Sequence, residues 1–317
     1  MLKYVFDQEQ LEGFNNIIED KNDISILNYF ETKELSDKDK SFFTEQGIIN
    51  SEGKIKDEIK EDIEVLAKPD SLVTFMFTGG AAKYEHTISH GTNKDKQISF
   101  TVSPDYFTID DSTEEQEIVD LIVDFVGNSS LKSLSLQEKI SVEEAFVLAA
   151  MLDMERRSIL RAFVDELPYS RSGYGFNMIW RMVHSSNESI QWFVYCMSQV
   201  VGEHITLRPE QVKSVLEGLK EKELISEQDE QYQLSKDLYQ LANRMIIIDN
   251  VINVEAVGKN KQEEIINTGF TCMQSGIHDL LFIDYDGSEI LLETISSELL
   301  LEYIGRFLKL EVFNSEN

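Results

Sequence analysis

The apolar positions of this chain recur first at helical and then at strand spacing, and this order occurs twice. In residues 41–70, SFFTEQGIINSEGKIKDEIKEDIEVLAKPD, the residues Ile55, Ile59, Ile63 and Leu66 fall at i, i+4, i+8 and i+11 and mark one face of a helix. Phe42, Phe43, Ile48 and Ile49 precede it. Gly47 stands where a helix end favours a left-handed residue, and Ser51-Glu52-Gly53 is turn chemistry. Pro69 stops the second helix, and SLVTFMFTGG reads as a strand. The predicted unit is helix, turn, helix, strand. Residues 210–242 repeat it: Val212, Val215, Leu216 and Leu219 form a stripe, Glu223-Leu224-Ile225 matches Gly47-Ile48-Ile49, and a polar turn leads to a helix with Leu238 and Leu241. Strand-like runs and one closing helix follow each unit, with Ser112 and Ser296 as N-caps. The offset between matching positions drifts from 176 residues at Ile48/Leu224 to 184 at Ser112/Ser296, which loop lengths absorb.

The first unit is preceded by a short strand, Lys3–Phe6, a helix carrying Leu11, Phe14, Ile17 and Ile18, and an apolar stretch, Ile24–Phe30; Ser36 caps the next helix. Leu72–Thr78 is almost continuously apolar and is expected to be a central strand covered on both faces. Ala82, Tyr84, His86 and Ile88 alternate with Lys83, Glu85 and Thr87. Ile98, Phe100 and Val102 alternate with Gln97, Ser99 and Thr101, with a polar hairpin loop at 91–95 between them, and Asp105–Ile109 is a last strand before a helix at 113–126. The second half predicts strands at Val251–Val257, Glu264–Gln274, Leu280–Tyr285 and Ile290–Thr294, with Asp286-Gly287 as a hairpin turn. Between the halves, Gly127–Leu136 reads as a loop and Ser141 caps a long helix to about Leu167. Helices follow at Phe176–His184 and Glu188–Val201, the latter capped by Asn187. The expected class is α+β: a quasi-twofold internal duplication of antiparallel β-meanders, in one central sheet or two, flanked by helical bundles. The expected segments are a first half, 1–130, a helical middle, 131–205, and a second half, 206–317, within one integrated domain. The polar, open sheet face predicted to bind a partner comprises Lys83, Glu85, Thr87, Ser99, Thr101, Asn253, Glu255, Asn267 and Thr271.

Composition narrows the class. The chain has 317 residues, 42% of them hydrophobic, and four prolines, enough for a large core and too few prolines for a Pro-rich linker. No apolar run approaches the roughly 18 residues of a membrane span, and MLKYVFDQEQLEGF lacks the apolar core of a signal peptide, so membrane insertion and export are not expected. Cys196 and Cys272 fit reduced, partly buried thiols of a cytoplasmic protein. The net charge of −29 repels phosphate backbones and anionic lipids. A winged helix-turn-helix at 208–234 is weighed and set aside, because its second helix offers too few cations for phosphates.

Catalytic chemistry is not evident. His86 and His90 lie four apart in a strand-to-loop segment, with no cysteine beside them to complete a metal site. Gly173-Tyr174-Gly175 follows no strand, and no nucleophile elbow or phosphate loop is present. No enzyme activity, metal or cofactor is expected.

The run Gly47-Ile48-Ile49, Glu52-Gly53-Lys54-Ile55 and Leu66-Ala67-Lys68-Pro69-Asp70, leading into a strand, resembles the EspG family of type VII secretion chaperones. The motif covers about 30 residues, and the length and plan are similar over the whole chain. The Lys/Ile/Asn-rich composition departs from that of the Ala/Arg-rich members, and the resemblance then implies a relative from a type VII system with other substrates, similar to the EsaE-type chaperones that escort LXG toxins. The resemblance implies a cytosolic chaperone that covers the apolar tip of a helical secreted protein (WXG100, LXG or PE-PPE-like), using its sheet and C-terminal bundle. The alternative is an acidic, immunity-type protein that neutralises a basic partner; oligomeric state is left open.

Overall fold

The computed structural model describes residues 3–79, 83–92, 96–111, 115–169, 171, 173–259, 262, 264–276 and 278–313. The first run of elements is β1 (Lys3–Phe6), α1 (Gln8–Ile17), α2 (Asp37–Glu45), α3 (Lys60–Ala67), β2 (Ser71–Gly79), β3 (Lys83–His90), β4 (Gln97–Val102), β5 (Phe107–Asp110) and α4 (Glu115–Val126). The second begins with β6 (Gln137–Ser141), α5 (Val142–Val164), β7 (Tyr174–Gly175), α6 (Phe176–Val183), α7 (Phe193–Val201) and α8 (Pro209–Glu221). It continues with β8 (Ile225–Gln228), β9 (Gln231–Leu234), α9 (Lys236–Arg244), β10 (Asn250–Lys259), β11 (Ile265–Ser275), β12 (Asp279–Tyr285), β13 (Glu289–Ile295) and α10 (Ser297–Leu308).

Ten strands form one antiparallel sheet in the order β1-β5-β4-β3-β2-β10-β11-β12-β13-β6, and β7-β9-β8 form a small second sheet. Read outward from the middle, each half of the order is a four-strand meander closed by the strand that precedes it in sequence. The class is the expected α+β, and the meanders share one sheet.

Two compact units are present. The first comprises Met1–Leu121, Asn253–Gly269 and Glu302–Asn317. Its core joins Phe6, Phe14 and Phe43 to the sheet residues Leu72, Ile98, Phe100, Phe107 and Ile109, with the Phe6 and Phe14 rings 5.1 Å apart. The second comprises Ile122–Ile252 and Phe270–Leu301. There α5 is buried on every side from Glu144 to Arg156, an all-round apolar helix wrapped by α6–α9 and by Met273, Leu281, Ile283, Ile290 and Leu292 of the sheet.

Local sequence explains most starts and stops. Ser36 and Ser141 each accept from the third backbone amide of their helix, and Asp39 and Glu144 return the bond, so both form capping boxes. Ser296 accepts from the Leu299 amide at the start of α10; Ser112 lies outside the described residues. At the end of α2, Ile48 N donates to Phe43 O (2.8 Å) and Gly47 N to Thr44 O (3.1 Å), a Schellman closure with Gly47 at φ 76°. At the end of α8, Leu224 N donates to Leu219 O (3.0 Å) and Glu223 N to Lys220 O (3.0 Å), with Glu223 at φ 58°.

Three expectations are corrected. The stretch after the 127–136 loop is not the direct entry to α5: residues 137–141 form β6, the edge strand beside β13. The polar turn after α8 is the hairpin β8–β9, in register from Ile225↔Leu234. The helix expected from Glu188 begins at Phe193, and it is not capped by Asn187. The buried Asp153 of α5 accepts from Phe193 N (2.9 Å) and Val194 N (3.1 Å), a cap supplied from 40 residues away.

Candidate functional site

Among the described residues of the first unit, one stretch of the sheet carries half-buried and exposed side chains. β2 and β3 pair Thr74 with Thr87, Met76 with Glu85 and Thr78 with Lys83, so these residues share a side. On β10, the half-exposed or exposed Asn253, Glu255, Val257 and Lys259 alternate with the buried Val254, Ala256 and Gly258. A Cβ on Gly258 would lie 2.7 Å from Ser71 and 2.8 Å from Phe313. The even positions of β10 therefore face the Ser71 side, and the odd positions share the side of Met76 and Glu85. A Cβ on Gly269 would fall 2.4 Å from Val254 O and 3.4 Å from Glu255 Cγ. The glycine lets β11 settle beside Glu255, next to the exposed Asn267.

The stretch is mixed in chemistry. Met76 and Val257 are half-buried, and Lys83 sits 3.9 Å from Glu85 in a loose ion pair. The Glu255 carboxyl is raised above the usual carboxylate range, first by partial desolvation among its neighbours and then by the charge of Glu85. The stretch brings together the Glu85 and Glu255 carboxylates, the Lys83 and Lys259 ammoniums and thioether or aliphatic surface.

Of the nine residues expected there, Lys83, Glu85, Asn253, Glu255 and Asn267 come together on this stretch. Thr87 is on the same side but fully buried, its hydroxyl 3.0 Å from that of Thr74. Ser99 and Thr101 are on the opposite side. The β3–β4 register sets Ile88 against Ser99 and His86 against Thr101, so Phe100, not Ser99, shares the side of Thr87. A register offset of one residue exchanges the faces of a strand. Thr271, in the second unit, is opposite Ile283 and shares the buried side of Met273, against the helices. These four are corrected from open to buried or opposite positions.

Burial also shifts His86 and the two cysteines. His86 contacts the Thr101 hydroxyl through Nδ1 at 2.9 Å, and burial, partly opposed by Asp110, lowers its pKa to about 4. Burial pushes the Cys196 thiol up to about 12 and raises Cys272 as well. Among the described residues, no three His, Cys, Asp or Glu side chains converge as a metal site, and no helix is long and apolar enough to cross a membrane.

In the second unit the sequence reading missed a surface at the end of α5. Arg156 ties this helix down: its guanidinium donates to Met245 O, Ile246 O and Gln191 O and pairs with Asp153 at 2.9 Å. Glu155 accepts from the hydroxyls of Tyr169 and Tyr174 and draws the following segment back onto the helix. Beyond these anchors α5 emerges into solvent beside an open groove of about 360 Å³ lined by Met154, Leu160, Tyr174 and Met178, with Arg157 and Arg161 at its rim.

No protein-family model matches the chain, and no curated protein matches it in sequence. Among solved structures, the chain is similar to the Mycobacterium tuberculosis type VII secretion system chaperone EspG5, whose structure was solved in complex with a PE25-PPE41 dimer. The likeness covers 96% of this chain and 95% of that one at 9% sequence identity, with a TM-score of 0.51. An EspG-like fold therefore extends over the whole chain.

Proposed function

We propose that this protein is a cytosolic, non-enzymatic chaperone that binds a helical type VII secretion substrate, keeps it soluble and delivers it for export. The observation that carries this reading is the full-length fold likeness to EspG5, a protein seen holding a PE25-PPE41 dimer. The open sheet stretch supports it. Lys83, Glu85, Asn253, Glu255 and Asn267 surround half-buried Met76 and Val257, the mixture suited to an apolar helix tip with a polar rim. The net charge of −29 keeps such a complex dispersed. The recurring strand order also supports an internal duplication of a half-length unit.

The same charge favours a second reading, an acidic protein that neutralises a basic partner. Salt separates the two. Co-expression with small helical proteins and LXG-type toxins, followed by light scattering, is expected to give a stoichiometric complex that survives about 0.5 M salt, where the Debye length is only a few ångströms. A complex lost on raising salt selects the charge-driven reading. No complex with folded, soluble candidates overturns the chaperone reading.

A further inference from the structure

The groove at the end of α5 lies in a basic stretch of an acidic chain. Against a net charge of −29, residues 157–187 carry four arginines and no lysine, with Asp165 and Glu166 as their only carboxylates. Met154, Arg157, Ser158 and Arg161 fall at i, i+3, i+4 and i+7 of α5 and so form one wall of the groove, which Leu160, Tyr174 and Met178 complete. Met178, 57% exposed, and Arg181 are three apart on α6 and share a side, so the cationic rim continues on the second helix. At about 360 Å³ the groove has room for apolar side chains and not merely for water.

The rim arginines have little to hold them. Among the described residues no carboxylate pairs with Arg157 or Arg181. The exposed Arg161 meets only Asp165 of its own helix, at 3.4 Å, a contact worth little in water. The Arg157 guanidinium lies over the Trp192 ring at 5.3 Å, which fixes the plane of its fork.

We propose that this groove binds an acidic amphipathic helix of a partner protein. Apolar side chains on one stripe of that helix fill the floor over Met154, Leu160, Tyr174 and Met178. Carboxylates one turn apart beside the stripe meet Arg157 and Arg161, which are themselves one turn apart on α5. Charge decides the occupant. Whatever covers the floor also takes the rim out of water, and a guanidinium desolvated without a carboxylate is strongly penalised. A neutral helix gains the floor and loses at the rim, whereas an acidic helix gains at both. The surrounding negative charge opposes its approach at long range, but at about 0.15 M salt charges beyond roughly 8 Å are screened and the local arginines set the register. Phe163 lies two residues, about 200° of turn, past Arg161 and faces away from this site. The proposal adds a partner to the chaperone reading without resting on it.

The test uses the full chain and a fluorescein-labelled, alanine-rich helix of about 20 residues, long enough to fold alone, with leucines along one stripe and glutamates flanking it at i, i+4 spacing. Fluorescence anisotropy is expected to saturate below about 100 µM protein. Arg161→Glu and Met178→Glu, both at exposed positions and checked for folding by circular dichroism, are each expected to weaken binding about tenfold or more. Replacing the peptide's glutamates with glutamine is expected to cost about as much, and Phe163→Glu to change nothing. Failure of the natural chain to saturate overturns the proposal. Binding indifferent to Arg161→Glu or to Met178→Glu also overturns it, because the peptide then sits elsewhere. A glutamine peptide that binds as well as the glutamate one does the same, because the occupant is then merely apolar. So does a doubled mass by light scattering that Met178→Glu reduces to that of one chain, because a second copy then fills the groove. None of these outcomes bears on the complex with a secreted substrate, which co-expression reads separately.

Discussion

The helix pair α2–α3 and the helix pair α8–α9 close their leading helices with the same bonds made by different residues. In each, the apolar residue two beyond the C-cap donates back to a buried residue three from the helix end, Ile48 to Phe43 and Leu224 to Leu219. In each, the same residue's carbonyl then accepts from the start of the next helix, from Lys56 N at 3.0 Å and Ser235 N at 2.8 Å. What differs is the left-handed position, Gly47 against Glu223, and the connection. The first is short and holds a lone bridge between Ile49 and Ile55; the second grows into the β8–β9 hairpin. The geometry is thus set by where the apolar residues sit, and the left-handed residue only tunes it.

The largest test of this equivalence removes the anchoring side chains. Phe43→Ala, at a fully buried ring packed edge-to-face with Phe6, Phe14 and Phe42, is expected to lower stability by about 4 kcal/mol, and Leu219→Ala by about 3 kcal/mol. Urea midpoints measure both, and a near-zero loss for Leu219→Ala breaks the comparison. A smaller effect separates the halves. β3 of the first meander carries the buried His86, whose pKa is lowered from 6.5 to about 4. The fold favours the neutral ring, so its contribution is full above pH 6.5 and is lost as pH falls towards 4, in total about 3 kcal/mol. Thermal unfolding at pH 7 and pH 4 is expected to show this loss, and His86→Gln is expected to remove that part of it; an unchanged pH slope refutes the assignment. The smallest effect has opposite signs in the two units. Glu223→Gly is expected to stabilise the chain by about 1 kcal/mol and Gly47→Glu to destabilise it by about as much, because a Cβ in the left-handed region is strained. Differential scanning calorimetry on the two variants reads the sign.

The sequence makes local rules legible. Ser36 and Ser141 open capping boxes four residues long, and the Gly47 and Glu223 units are visible from apolar spacing alone. What it hides is settled by distant partners. The start of α7 depends on Asp153, a residue with no sequence mark of a cap, and β6 is a five-residue polar strand defined only by its pairing with β13. The same limit shaped the candidate site. The alternation of β3 and that of β4 are each readable, but which side of one matches which side of the other is fixed by the register across their hairpin, which sets Ser99 and Thr101 beside Ile88 and His86 rather than beside Thr87 and Glu85. The exposed apolar residues at the end of α5 are hidden for another reason: the apolar positions run on through the half-buried Ile159 and Leu160 to the exposed Phe163, Val164 and Leu167, and a pattern does not tell where its cover ends.

The strand order has a consequence for synthesis. Each edge strand precedes its meander in the chain but pairs with the meander's final strand, Lys3 with Asp110 and Ser141 with Glu289. A polypeptide leaving the ribosome N-terminus first therefore exposes β1 for about a hundred residues, and β6 for longer, before a neighbour exists. Both waiting strands are short and carry charge, Lys3 in one and Glu138 and Lys139 in the other, which discourages edge-to-edge pairing with a foreign chain. The last event in each half is then the return of the earliest strand, so the sheet is sealed from its rims only when its most distant partners have been made.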